Sequence, residues 1–338
     1  MELSGPADLA ADRVPSEGRR VAAVVFNPVK VDRPALEAVV AAQEAAAGWG
    51  TTRWFETSVE DPGQGAVRAA LAQGVSMIIV AGGDGTVRAA AEAAAGHEVA
   101  LALVPSGTGN LLARNLELTL DDVEDAIRSA FGGRDRQIDF GMIEIRRADS
   151  HVDRHAYLVM AGLGLDAKML AHTDEELKAK IGWLAYVKAI VLALRDPEQL
   201  RFRYALDGGP AKSIRAHTVI IGNCGSLQGN VALMPDAEVD DGRLDIALLR
   251  PEGLRHWVQV VSKILWENGV LRRTRLGRRL KAKDVPALDY LTGERVTLKL
   301  HRPEKIELDG DEFGEAVALR TWVVPNGLTI RVPGDAPA

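Results

Sequence analysis

Between residues 20 and 131 the chain alternates short β-branched runs with alanine-rich stretches, and nothing else in the sequence constrains the fold so tightly. The runs at 21–26, 51–56, 75–80 and 99–104 read as strands, and the stretches at 34–47, 63–73 and 86–95 read as helices. Strands this apolar are buried on both faces, which calls for a parallel sheet with helices above and below it. Open sheets of this kind bind ligands beyond the carboxyl ends of their strands. The turns after Phe26, Glu56, Val80 and Val104 should therefore share one rim.

Past residue 134 the helical period fades, and strand-like segments follow at 137–145, 155–160, 201–206, 217–221, 244–249 and 295–300. Helical patterns interrupt them at 175–194 and 254–268. The expected architecture is an N-terminal α/β domain with a parallel sheet over 20–135, then a β-rich domain over 136–320. A loose tail precedes them at 1–19. A length of 338 residues accommodates two such domains. The 47% apolar and 26% charged composition is that of a soluble globular protein. The longest apolar segment, 181–194, is shorter than the ~20 residues of a spanning helix, and Lys188 interrupts it. No secretory pattern opens the chain, and the single cysteine, Cys224, has no partner for a disulfide or a zinc site, so a cytoplasmic location is expected. A net charge of −6 argues against affinity for nucleic acid through global attraction to phosphates.

The strongest local signal is Gly82-Gly83-Asp84-Gly85-Thr86, directly after an apolar run and directly before a helical one. Glycines let a ligand approach the main chain, and a helix start offers unpaired N–H groups and a positive dipole end to phosphate. Asp84 would repel a bare phosphate, so it requires a divalent cation, a ribose hydroxyl or a backbone donor. A glycine turn capped by Asp84 is the plainer alternative. Pro105-Ser106-Gly107-Thr108-Gly109-Asn110 repeats the arrangement on the same rim, where Asn27-Pro28 and Thr57 also fall.

These segments, FNPVK, AGGDGTVRAAAEA and VPSGTGNLLARNL, resemble the catalytic domain of the diacylglycerol kinase and sphingosine kinase superfamily, particularly its soluble bacterial lipid kinases. IDFGMIEI, AGLGLDAKML, KIGWLAYVKA, NCGSLQGNVALMPDAEVDDGRLDIALL and IELDGDEFGE follow in that superfamily's order, so the resemblance spans about 21–333. It implies an α/β nucleotide domain followed by a β-sandwich, with ATP and lipid meeting between them and a last strand near 327–332 returning to the first domain, which 321–333 completes. It assigns the nucleotide phosphates to Gly82, Gly83, Asp84, Gly85 and Thr86, and further nucleotide contacts to Asn27, Thr57 and Thr108.

Phosphoryl transfer needs a group to accept the proton of the attacking hydroxyl, and metal to balance charge. Leu308-Asp309-Gly310-Asp311 resembles the superfamily's Asp-Gly-Glu motif, which makes Asp309 the leading base and Asp311 the second. Asp in place of Glu at 311 shortens that side chain and leaves the division of labour open. An acidic hairpin turn fits the same residues. Val87-Arg88 stands where many relatives carry Asn-Glu; Arg88 reads as a solvated helix arginine, with a phosphate or Asp84 as alternative partners. The resemblance places a structural magnesium at the Asp241 carboxylate and the Glu238 and Arg243 carbonyls, where an acidic surface turn is the alternative; the catalytic Mg2+ arrives with ATP.

Two spellings carry nothing further. Asp139-Phe140-Gly141 lacks the other protein-kinase motifs upstream, and Gly162-Leu163-Gly164 falls outside any βαβ unit. The acid-free run 271–283 holds seven cations suited to anionic headgroups or simply to solvent. The expected activity is ATP-dependent phosphorylation of a diacylglycerol-like or long-chain-base lipid, the enzyme meeting its substrate peripherally at a membrane. A homodimer is compatible with the sequence, which carries no signal for oligomeric state. An NAD kinase and a nucleotide-regulated lipid-binding protein without turnover are the alternatives.

Overall fold

The computed structural model describes residues 19–164, 199–227, 231–250, 259 and 287–334. The N-terminal part runs β1 (Val21–Phe26), α1 (Arg33–Ala46), β2 (Gly50–Glu56), α2 (Gln64–Ala72), β3 (Met77–Gly82), α3 (Asp84–Ala94), β4 (Ala100–Pro105), α4 (Leu111–Asn115) and α5 (Val123–Gly132). The strands pair in the order β4-β3-β1-β2, all parallel. Every residue of β3 is buried. Successive side chains go to opposite faces: Ile78 and Val80 pack with α2 and α3, Met77 and Ile79 with α1 and α5. Each such aliphatic side chain contributes about 1.5–3 kcal/mol by its removal from water. Asp32 and Asp122 cap α1 and α5 through their carboxylates.

The second part comprises β5 (Arg134–Arg146), β6 (Val152–Tyr157), β7 (Met160–Leu163), β8 (Leu200–Leu206), β9 (Lys212–Ala216), β10 (Thr218–Gly222), β11 (Ser226–Leu227), β12 (Val231–Ala232), β13 (Leu244–Leu249), β14 (Leu288–Gly293), β15 (Arg295–Leu308) and β16 (Asp311–Val332). It is largely antiparallel and folds around its own core of Ile143, Tyr157, Leu244 and Leu298. The expected α/β-plus-β class is therefore the one observed. β16 connects the halves: it runs antiparallel to β15 and β5, and its Thr329 and Ile330 pair in parallel with Ala100 and Leu101 of β4.

The strand expected over 155–160 is interrupted. β6 stops at Tyr157 because the N–H groups of Leu158, Val159 and Met160 all turn toward the Asp309 carboxylate instead of a neighbouring strand. The helices expected at 175–194 and 254–268 lie outside the described residues, apart from Gln259, as does the basic run 271–283. Among the described residues no helix is long and apolar enough to cross a membrane.

Candidate active site

The two glycine loops are packed against each other. A Cβ built on Gly107 would stand 2.7 Å from the Gly83 Cα, and the Ser106 N–H donates to the Gly82 carbonyl at 3.0 Å. Only residues without side chains permit that approach of one main chain to the other. Gly82 is equally confined, since its Cβ would lie 2.7 Å from the Cβ of buried Thr86. Asn110, in the left-handed region at φ 48°, ties the second loop by accepting from the Gly107 N–H at 3.1 Å and donating to the Gly107 carbonyl at 2.8 Å.

Asp84 has a backbone donor: its Oδ1 accepts from the Leu111 N–H at 2.6 Å, joining the first turn of α3 to that of α4. Burial pushes its carboxyl up, against the N–H groups of Leu111 and Asn110. Asn27 hangs from β3 by its N–H to the Ala81 carbonyl at 3.0 Å, and its Oδ1 accepts from the Val29 N–H at 3.0 Å. Thr57 is buried, with its N–H on the Phe26 carbonyl at 2.9 Å, and Thr108 is exposed at the tip of the second loop. All of these positions follow the carboxyl ends of β1 to β4.

Lys30 belongs with them. Its Nζ lies 3.1 Å from where a Gly83 Cβ would be, so an ammonium overhangs the first loop. It stood in plain view in FNPVK, but only the turn after β1 aims it at Gly83.

The acidic segment is a two-residue hairpin between β15 and β16, with Asp309 at φ 50°, Gly310 at φ 91° and Leu308 opposite Asp311. The hairpin alternative was thus a correct description of the turn. It is also the element that crosses to the glycine loop. A Cβ on Gly85 would lie 2.8 Å from Asp311 Oδ2, which also accepts from Arg88 Nη2 at 3.2 Å. Asp309 is 5% exposed. Its Oδ2 accepts from the Leu158 N–H at 2.8 Å, and its Oδ1 from Val159 and Met160 at 2.8 and 2.9 Å. Burial pushes its carboxyl up to about 6, against the pull of those three N–H groups and of Arg88.

Arg88 is not the solvated helix arginine its sequence context suggested. It is 5% exposed, its guanidinium stacks over the Phe313 ring 4.5 Å from the centroid, and its Nε has no hydrogen-bond partner among the described residues. Phe313 in turn meets the His155 ring edge-on at 4.7 Å. Glu92, also on α3, accepts from the Ala156 N–H at 2.9 Å. Helix α3 thus carries the glycine loop at one end and clasps the second domain along its length. Sequence reasoning missed these partners because they are separated by up to 223 residues.

Glu238, Asp241 and Arg243 are exposed in the loop before β13. Asp241 Oδ1 accepts from the Arg243 N–H at 2.9 Å, and the Gly242 N–H donates to Asp139 Oδ2 at 2.6 Å. Asp139, fully buried, also accepts from the Asn326 N–H at 2.7 Å, so the first residue of the apparent kinase triplet is an anchor for two loops. Nearby Asp245 has its carboxyl raised by burial, with Asp241 and Asp236 adding to the rise. Among the described residues no group of three or more His, Cys, Asp or Glu side chains converges as a metal cluster.

Residues 21–143 match the family model described as diacylglycerol kinase catalytic domain, and 159–332 match that described as YegS C-terminal NAD kinase beta sandwich-like domain. The chain belongs to the YegS-like lipid kinase family. A protein named "Probable lipid kinase YegS-like" from Xanthomonas axonopodis pv. citri (strain 306) is 31% identical over 281 residues, covering 80% of this chain and 83% of that protein. A diacylglycerol kinase from Mycobacterium tuberculosis (strain ATCC 25618 / H37Rv) is 29% identical over 184 residues, 54% of this chain and 58% of its own. The crystal structure of a diacylglycerol kinase from Bacillus anthracis str. Sterne superposes with a TM-score of 0.63 at 18% identity, covering 94% of this chain and 97% of that one, which shows a shared fold. As a member of the YegS-like family, the chain is a phosphotransferase of the lipid-kinase type.

Proposed function

We propose that this enzyme transfers the γ-phosphoryl group of ATP to a hydroxyl of a diacylglycerol-like or long-chain-base lipid. The observation that carries the reading is the packing of the 309–311 hairpin against Gly85, where the glycine loop enters the first turn of α3. In this reading 20–135, completed by 321–333, is the nucleotide domain, and 136–320 receives the lipid. Main-chain N–H groups of Gly82, Gly83, Gly85 and Thr86 take the phosphates at the positive end of α3, with Lys30 supplying a cation above Gly83. Asn27, Thr57 and Thr108 border the rest of the nucleotide.

Asp309 accepts the proton of the lipid hydroxyl as its oxygen attacks the γ-phosphorus, and ADP departs with the bonding electrons. Among the described residues its Oδ2 accepts one N–H, that of Leu158, which leaves a lone pair for that proton. Asp311 and Arg88 hold the turn in place; Asp311 is the alternative base. Magnesium bound with ATP would offset charge on the transferring group. A second magnesium suits the oxygen donors of the 238–243 loop, the Asp241 carboxylate with the Glu238 and Arg243 carbonyls, completed by water. The enzyme works in the cytoplasm and meets lipid from the water side.

The test incubates purified protein and magnesium-ATP with a total lipid extract, with NAD as a parallel acceptor. Mass spectrometry should find a lipid phosphomonoester that Asp309→Asn does not make. NADP as the sole product would replace this reading with an NAD kinase, and ATP binding without any product would leave a regulated lipid-binding protein.

A further inference from the structure

On the outer face of the second domain, antiparallel register sets Arg201 directly opposite Arg215, and Arg203 between Ser213 on one side and Lys299 on the other. These residues are exposed and alternate with buried Leu200, Phe202, Leu298 and Leu300, so their side chains share the solvent face of β9, β8 and β15. With His301, and with Phe202, Ile214 and Leu300 at its floor, they line an open depression of about 490 Å³. None of the four cations is ion-paired with a described carboxylate.

Like charges directly opposite one another on neighbouring strands are unfavourable, the more so at strand separations of about 4.8 Å. A chain with net charge −6 has acids enough to neutralise such a face, and among the described residues β9, β8 and β15 set none beside these four cations. We propose that this face docks the enzyme on an anionic phospholipid surface, the phosphodiester headgroups seating between Arg201, Arg215, Arg203 and Lys299. The inference rests on the lipid reading of the acceptor, which has to be collected from a bilayer.

Guanidinium groups match phosphate oxygens in pairs, and the Ser213 hydroxyl adds a neutral donor. An anionic bilayer repels the acidic remainder of the molecule, so the patch also sets the orientation in which the enzyme lands. Among the described residues no Phe, Tyr or Trp side chain occupies an outward position in the patch to stack a nucleobase, which disfavours single-stranded nucleic acid as the occupant.

The experiment sediments the full chain, without ATP, with vesicles of phosphatidylglycerol mixed equally with phosphatidylcholine, and with vesicles of phosphatidylcholine alone, at low and raised salt. The wild type should bind the anionic vesicles at low salt, bind them less at raised salt, and ignore the neutral ones. Arg201→Glu/Arg203→Glu/Lys299→Glu should bind at least about tenfold more weakly, while Arg128→Glu on α5 binds as the wild type does. A milder Arg201→Gln/Lys299→Gln pair, checked for an unchanged melting temperature, should lose about threefold, so that misfolding cannot imitate the effect. Wild-type affinity in the triple variant, equal binding to neutral vesicles, or tighter binding to a short RNA would each overturn the proposal. Phosphorylation of detergent-dispersed lipid separates this from the reaction itself: the triple variant should retain it, and its absence even in the wild type would defeat the lipid-kinase reading while leaving the vesicle result intact.

Discussion

Asp309 combines burial with three N–H donors, and the two pull its ionisation in opposite directions. Burial wins, so the carboxyl is protonated below about 6 and cannot accept a proton there. kcat/KM is therefore expected to rise with pH through that region and level off above it; a flat profile down to pH about 4 would remove Asp309 from the role of base. Asp309→Asn should lower kcat/KM by about 10²–10⁴-fold, and Asp311→Asn by less, since Asp311 is half exposed and already shared with Arg88. The reverse order would exchange their roles. Arg88→Leu strips the partner from Asp311 and the stack from Phe313, and should cost about 2 kcal/mol in a denaturant titration along with about tenfold in kcat. Arg88→Lys keeps the charge but not the planar stack and should fall between. The motif singles out Asp309 and Asp311 as candidates, but Arg88 reads as surface on its own helix. Its burial is created by Phe313 and Asp311, which arrive from the far end of the chain.

Elements whose character is local were legible, and those defined by a distant partner were not. The buried strands β1, β3 and β4 announce themselves by continuous apolar runs, and α1 and α3 by alanine-rich stretches bounded by caps or glycines. The edge strands β9 and β14 mix polar and apolar residues over five and six positions without a sustained alternation, which does not separate them from loop. The long β16 continues through Pro325 and positive-φ Asn326 because Asp139 holds the Asn326 N–H and β5 resumes pairing at Leu328, none of which the local pattern shows. The contact between glycine loops gives the sharpest test at this scale. Gly107→Ala sets a methyl group against the Gly83 backbone, which has no rotamer with which to yield. It should destabilise the protein by about 1–3 kcal/mol and weaken ATP binding in calorimetry, whereas Gly48→Ala, in open space at φ 70°, should leave ATP affinity unchanged.

Across the molecule, β16 is shared by both halves, the Asn115 side chain exchanges hydrogen bonds with the Ser226 backbone at 2.9 and 3.0 Å, and Glu92 holds the Ala156 N–H. The sheet runs continuously from one half to the other through β16, so calorimetric unfolding should show one cooperative transition; two well-separated transitions would contradict the shared strand. The same union explains how residues 27 to 110 and residues 309 to 311 come to one rim. A chain that closes its first sheet with its last strand carries the hairpin at the head of that strand back over the glycine loop. The most direct measurement of the central claim is transfer of radiolabel from γ-labelled ATP to extracted lipid by the wild type and by Asp309→Asn, each confirmed folded and ATP-binding. Label in an organic-soluble phosphomonoester with the wild type, and its loss in the variant with ATP binding retained, is the expected result. Equal labelling by both proteins, or labelling of NAD alone, would contradict it.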